Sequence, residues 1–342
     1  MSLSLFMIAL TLLQASPDVA PRTPSAPVRR PAARAPIPAK ATQALALQVM
    51  LDRAGFWPGV IDDRPGKNTD KALALYKESG READASAPVE ALGQYTVTAA
   101  DAAGPFAPDV PGDLMEQSKL EALTYRNVIE ALAERFHSTP DLLQRLNRGS
   151  RFAEGDTITV PNVDPLIVPV GRPKADATTA AAEGAPASAA RRGADAARAV
   201  AAPTKPTVVV SVSKSASALT VKDEAGAVVF YAPVTTGSEH DPLPIGEWKV
   251  NGVQLNPTFR YNPKLFWDAD PTHAKAQIAA GPNNPVGLVW IDINKEHYGI
   301  HGTPEPSVVG RAQSHGCVRM TNWDALRVAG LVKPGTRVVF TE

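Results

Sequence analysis

Cysteine is nearly missing from this sequence. Its 342 residues hold one, Cys317. A single thiol excludes an intrachain disulfide, so no disulfide frame supports the fold. An excess of charge of either sign is missing too. Lys plus Arg and Asp plus Glu each number 35, a balance that points away from nucleic acid and from anionic membrane surfaces. Long apolar runs are also missing. The stretch from Leu3 to Leu13, broken only by Ser4 and Thr11, falls short of the ~20 residues that a membrane-spanning helix needs.

Proline is abundant instead, with 32 residues in clusters. The short apolar run ends at Ala15 and Ser16 before Pro17. Residues 1–16 therefore read as a signal peptide, although no Lys or Arg precedes the run. Export to the periplasm or cell wall is expected, and no cysteine follows the run to carry a lipid anchor. Residues 17–40, rich in Pro, Ala and Arg, read as a disordered tether. Residues 171–206 repeat that composition and read as a second linker.

Between the two linkers the pattern is mainly helical. Leu45, Leu47, Val49 and Leu51 sit around a first helix. Gly55-Phe56-Trp57-Pro58-Gly59 and Val60-Ile61-Asp62 follow, then a helix from Lys67 to Lys77 with Asn68 or Thr69 as its cap. This stretch resembles a peptidoglycan-binding helical module, which places such a module at 41–89. Asp63 stands where that family usually has Gly. Phe56 and Trp57 are read as core residues in preference to a glycan platform. In residues 90–170, "YTVTAAD" suits a strand. Tyr125 to Asn147 suits two helices, the second opened by Thr139-Pro140, and "FAEGDTITVPN" suits a turn and a strand. The pattern resembles a degenerate LysM module with a long insertion after its first strand. The resemblance implies binding to glycan strands.

From Thr207 onward, short β-branched segments bounded by Gly, Pro or Asn alternate with turns, and one helix runs from near Asn322 to Ala329 with Asn322 as its cap. About six strands and a helix suggest a β-sandwich with small helical insertions. The expected architecture is a multidomain chain: a helical module, a small α+β module and a mainly β catalytic domain at 207–342.

The chemistry concentrates in "HGTPEPSVVGRAQSHGCVRM", residues 301–320. A free thiol with a pKa near ~8.5 is only slightly ionised at neutral pH and needs a neighbouring imidazole. His301 lies far enough upstream to leave a strand and return. His315, two residues before Cys317, would share its face in an extended segment. Gly316 admits close backbone approach, and its N–H with that of Cys317 would form an oxyanion hole. Two readings compete: zinc ligation by His301, His315 and Cys317, for which a fourth ligand is not apparent, and an inert core thiol. His297 reads as a surface or packing residue, and His240 and His273 as loop residues without visible partners. His137 is placed on the surface of its helical module.

His301-Gly302, a loop, then Ser314-His315-Gly316-Cys317-Val318-Arg319 closely resembles the L,D-transpeptidase motif. The resemblance implies Cys317 as nucleophile and His301 as general base, with the Gly302 carbonyl orienting the imidazole. His315, Gly316 and Cys317 would line the oxyanion site. Ser314 and Arg319 would shape the turn and contact substrate or scaffold. Residues 254–280 would form a lid whose aromatics include Tyr261 and Trp267, both candidate substrate contacts. Peptidoglycan stem peptides are the implied substrates, released D-Ala and 3–3 cross-links the implied products. A D-amino acid, a lipoprotein lysine or water would be the other acceptors, water making a carboxypeptidase or endopeptidase. A wall-binding protein with an inactive catalytic domain is the competing class. No metal or organic cofactor, nucleic acid or transmembrane segment is implied.

Overall fold

The computed structural model describes residues 41–80, 90–169 and 207–342. The expected signal peptide, the tether and the second linker lie outside those residues. No helix among the described residues is long and apolar enough to cross a membrane.

Helix α1, Gln43–Arg53, starts where the Thr42 side chain accepts a hydrogen bond from the Leu45 N–H. Its apolar residues serve two cores. Leu45 and Val49, one turn apart, enter one, while Leu51 enters another. Gly55 and Gly59, both at φ +83°, turn the chain. Asp63, standing in place of the family glycine, adopts φ +64°. Asp tolerates that left-handed geometry better than most residues. Helix α2, Lys67–Glu78, has Gly66 at its N-cap position with no side-chain cap. Asn68 and Thr69 thus do not cap it. The Asn68 amide instead donates to the Val309 carbonyl at 3.2 Å.

The next segment runs strand, helix, helix, strand. Strands β1, Leu92–Thr96, and β2, Thr157–Pro161, pair antiparallel. After β1, an insertion carries two short helices, α3, Ala99–Ala103, and α4, Leu114–Gln117. Helices α5, Val128–Arg135, and α6, Pro140–Leu146, follow, α6 capped by Thr139 with Pro140 in its first turn.

The carboxy-terminal part is mainly β. Its strands are β3, Val208–Ser213; β4, Ala218–Asp223; β5, Val228–Pro233; β6, Gly246–Leu255; β7, Phe259–Tyr261; and β8, Ala276–Ile278. β9, Val289–Ile293; β10, Gly299–His301; β11, Val318–Arg319; helix α7, Asn322–Leu331; and β12, Arg337–Thr341, complete it. Eight strands hydrogen-bond into one sheet in the order β11-β10-β9-β6-β12-β3-β4-β5, while β7 and β8 pair separately. The expected sandwich of two stacked sheets is thus replaced by one continuous sheet. Register shifts at Val221/Lys222 and Val250/Gly252 mark where it bends. One core of residues from β3, β4, β5, β6, β9, β10, β11, β12 and α7 fills its inner side. The α7 cap is Thr321, whose hydroxyl accepts from the Asp324 N–H at 3.2 Å. Asn322, the expected cap, is turned into the interior.

The amino-terminal half is not a separate body. Trp57, Val60 and Leu166 enter the core of the large sheet, and Phe56 packs with Tyr231 and Ala218 on its other face. The Trp57 N–H donates to the Tyr231 carbonyl at 2.9 Å, and the Tyr231 N–H to the Gly55 carbonyl at 3.2 Å. This segment satisfies part of the exposed edge of β5. Phe56 and Trp57 are only 1% and 8% exposed, as expected of core residues. His137, expected on a surface, is buried against α7. It stacks on Trp323 at 5.1 Å, and its Nδ1 lies 2.9 Å from Asp52 Oδ2.

Candidate active site

Parallel pairing of β10 with β11 sets His301 opposite Arg319, two residues beyond Cys317. The 16-residue separation of thiol and imidazole in sequence therefore closes through one ladder. Both face a cleft of roughly 1120 Å³.

His301 is 4% exposed, and its Nδ1 lies 2.6 Å from the Gly302 carbonyl oxygen. A carbonyl only accepts, so Nδ1 carries the proton and Nε2 is left as a base. Trp290, opposite His301 in the β9–β10 ladder, stacks on the imidazole at 5.6 Å and 20°. Burial, helped by the Arg319 charge, pulls the His301 pKa down to about 3. Burial pushes the Cys317 thiol up to about 11, with the Asp241 carboxylate adding to the rise. The Gly299 N–H and Arg319 oppose it. Desolvation disfavours both charged forms, so the resting pair is a neutral thiol beside a neutral imidazole. The Cys317 Sγ–H donates to the His297 carbonyl at 3.6 Å.

Two glycines of the motif are dictated by neighbours. Gly316 lies at φ +96°, and a Cβ there would meet the Tyr298 ring at 2.5 Å. Tyr298 thus leaves no room for a side chain at this position. A Cβ on Gly302 would meet Asn322 Oδ1 at 2.1 Å. Asn322 accepts from the Leu288 N–H at 2.9 Å and donates to Glu134 Oε1 at 2.6 Å. The backbone that orients His301 is thereby braced from α7 and α5.

The other expected site residues divide. The Ser314 hydroxyl donates to the Cys317 carbonyl at 2.6 Å and closes the turn. The His315 side chain faces the lid: Nε2 lies 2.7 Å from Asp268 Oδ1, and the ring meets Phe266 edge-on at 5.0 Å. Arg319 lines the cleft, and its buried Nε has no hydrogen-bond partner among the described residues. Tyr261 is 3% exposed and packed inside the lid, its hydroxyl 3.0 Å from His273 Nδ1. Trp267 is 60% exposed and stacks on His240 at 4.3 Å. His273, expected to be unpartnered, also lies 3.0 Å from Asp113 Oδ2 through Nε2. No group of three or more His, Cys, Asp or Glu suited to a metal occurs among the described residues.

Sequence reasoning missed Trp290, Tyr298, Asp241, Asp268 and Asn322. Tyr298 sits two residues before Ile300-His301, and Trp290 lies on the adjacent strand. Period-two alternation marked these strands without saying which neighbour would stack on the histidine.

Residues 207–340 match the family profile described as the L,D-transpeptidase catalytic domain. Among curated relatives, a Bacillus licheniformis protein provisionally named L,D-transpeptidase YkuD is 52% identical over 60 residues, covering 18% of this chain and 36% of its own. The Escherichia coli K12 protein named a probable L,D-transpeptidase, YbiS, is 35% identical over 118 residues, covering 33% of this chain and 38% of its own. The matches thus span little more than a third of these two relatives' lengths. L,D-transpeptidase 3 from Mycobacterium tuberculosis, crystallised with a faropenem-derived adduct, aligns at TM-score 0.34 and 20% identity, over 40% of this chain and 61% of its own. Residues 207–340 of this chain are thus similar to the L,D-transpeptidase catalytic-domain family.

Proposed function

We propose that the protein is an exported L,D-transpeptidase acting on peptidoglycan tetrapeptide stems through a thioester on Cys317. The observation that carries this reading is one pairing. His301, its Nδ1 proton held by the Gly302 carbonyl, sits on the strand beside Cys317 in a shared cleft.

The resting pair is neutral, so no thiolate is stored. His301 Nε2 takes the thiol proton as Sγ attacks the carbonyl between the third residue and the terminal D-Ala. The oxyanion is held by backbone N–H groups of the 315–317 turn, worth about 3 kcal/mol per donor. Collapse breaks the C–N bond, and His301 returns the proton to the departing D-Ala amine. An acceptor amine then attacks the thioester and gives a proton to His301, which returns it to the Cys317 sulfur. A second stem as acceptor yields a 3–3 cross-link; a D-amino acid or a lipoprotein lysine yields a related amide. The helical segment at 41–80 and the strand-helix-helix-strand segment at 90–169 would carry the glycan contacts, with Phe56 and Trp57 excluded from them by burial.

The test is mass spectrometry of tetrapeptide muropeptides incubated with the full chain and with Cys317→Ala. Dimers linked between third residues with the wild type only are expected. Dimers from both proteins, or no change in either, would overturn the proposal. Loss of D-Ala without dimers would move it to a carboxypeptidase using the same thiol.

A further inference from the structure

The insertion between β1 and α5 reaches the cleft. Gly112, Asp113 and Leu114, far from the catalytic motif in sequence, line it together with His301 and Cys317. The same insertion grips the lid. Leu123 is fully buried in a cluster with Tyr261 and Ile278, against which Leu114, Met115 and Phe266 pack. The Leu123 N–H donates to the Ala280 carbonyl at 2.9 Å, and the Asn283 N–H to the Leu123 carbonyl at 2.9 Å. Gly281 is at φ +144°, and a Cβ there would meet the Leu123 carbonyl oxygen at 2.2 Å, so this contact leaves no room for a side chain.

One chain of hydrogen bonds and ring contacts runs from the insertion to the turn that carries Cys317. Asp113 Oδ1 accepts from the Glu116 N–H at 2.9 Å and caps α4. Its Oδ2 lies 3.0 Å from His273 Nε2, and His273 Nδ1 lies 3.0 Å from the Tyr261 hydroxyl. A carboxylate only accepts, so Nε2–H donates to Asp113. Tyr261 packs on Phe266 at 5.5 Å, and Phe266 meets the ring of His315, two residues before Cys317.

We propose that residues 112–114 form a wall of the substrate cleft, and that Asp113 is a positioning residue holding the lid over Cys317 through His273. The proposal rests on the transpeptidase reading for its substrate. The stem peptide is seated by both halves of the chain, and the insertion that departs from a LysM pattern is the part that completes the site. Asp113 touches no reacting atom in this scheme; it acts through the lid.

Two substitutions in the full chain separate the positioning role from the cap. Asp113→Ser keeps a capping oxygen but is too short to reach His273. Asp113→Asn keeps both: its amide oxygen caps α4, and its NH2 donates to His273 Nε2 in the other imidazole tautomer, whose Nδ1–H then donates to the Tyr261 hydroxyl. Asp113→Ser should speed hydrogen–deuterium exchange across residues 256–280. It should also raise KM for the tetrapeptide roughly ten-fold, the loss expected of one charge-assisted hydrogen bond. Its kcat and the alkylation rate of Cys317 should change less than about three-fold. Asp113→Asn should restore both lid exchange and KM. Unchanged lid exchange in Asp113→Ser overturns the proposal, and so does faster exchange with unchanged KM. If the wild type turns over no stem peptide, the transpeptidase reading fails by itself. Lid exchange still decides whether Asp113 holds the lid.

Discussion

At the scale of single residues, the candidate site is defined by what desolvation does to the Cys317 thiol and the His301 imidazole. A thiol raised to about 11 beside an imidazole lowered to about 3 cannot rest as an ion pair near neutral pH. Alkylation of Cys317 by iodoacetamide, which requires thiolate, should therefore climb about ten-fold per pH unit from 7 to 10. An unperturbed thiol would level off near ~8.5. His301→Ala should leave that alkylation profile nearly unchanged, because the imidazole it removes is already neutral. The same substitution should cost acyl transfer about 10²–10⁴-fold by removing the proton carrier. A stored ion pair would give the opposite alkylation result: an early plateau, and a marked loss of reactivity in His301→Ala.

Gly316 makes a second prediction at this scale. Gly316→Ala forces a side chain into φ +96° and against the Tyr298 ring. Strain at such a position costs about 1–3 kcal/mol, and the turn carrying Cys317 should shift to relieve it. Acylation of Cys317 by a carbapenem, followed as a mass increase, should slow at least ten-fold while thermal unfolding moves by only a few degrees. Acylation at the wild-type rate would mean that the turn tolerates the methyl group and that the glycine is not required for geometry.

At the scale of elements, the edge of the large sheet is where local pattern and tertiary structure part. β3 was legible because Val208, Val210 and Val212 alternate with more exposed residues. β5 is buried along its last four residues because both of its faces are covered. The sheet covers one face and α1 with α2 the other, an arrangement that depends on residues more than 150 positions upstream. The motif at 301–319 was legible because its chemistry is local in sequence. The lid clamp was not, because Asp113 and His273 lie 160 residues apart and neither belongs to a periodic pattern. The α7 cap was misplaced by one residue for a related reason: Asn322 is a good cap in isolation, but its amide is spent on the Leu288 N–H and on Glu134. The β5 contact is itself testable. Trp57 packs on Phe230 with ring centroids 4.5 Å apart. Trp57→Ala should cost about 3–5 kcal/mol in denaturant unfolding. The loss should appear in the transition of the catalytic domain, because the ring belongs to that core. A loss confined to a separate, earlier transition would show that the two halves unfold independently.

At the scale of the whole molecule, the amino-terminal half meets the carboxy-terminal part at several places, among them the edge of β5, the lid, α7 and the loop at Val309. Glycan contacts and catalysis, as proposed, would then share one frame. The α7 contact gives that body a pH dependence. Glu134 of α5 accepts from Asn322 at 2.6 Å, and burial, with the charge of Glu130, lifts its pKa to about 8 against the hydrogen bond that lowers it. In the unfolded chain the same carboxyl titrates near its ordinary ~4.3. Between those values the folded protein holds a proton that the unfolded chain has lost. Stability therefore falls as pH rises through that window and levels off, for this group, above about 8. The slope is at most about 1.4 kcal/mol per pH unit. Asp324, raised well above its ordinary value by burial, acts in the same direction. Glu134→Gln keeps an oxygen to accept from Asn322 and removes the titration. Urea midpoints measured from pH 5 to 8 should decline less steeply in the variant than in the wild type, and the residual decline should shrink again when Asp324→Asn is added. Parallel curves for wild type and Glu134→Gln would mean that Glu134 is already ionised in the folded protein. The contact between α5 and α7 would then rest on a charge–dipole bond to Asn322 instead of a neutral one.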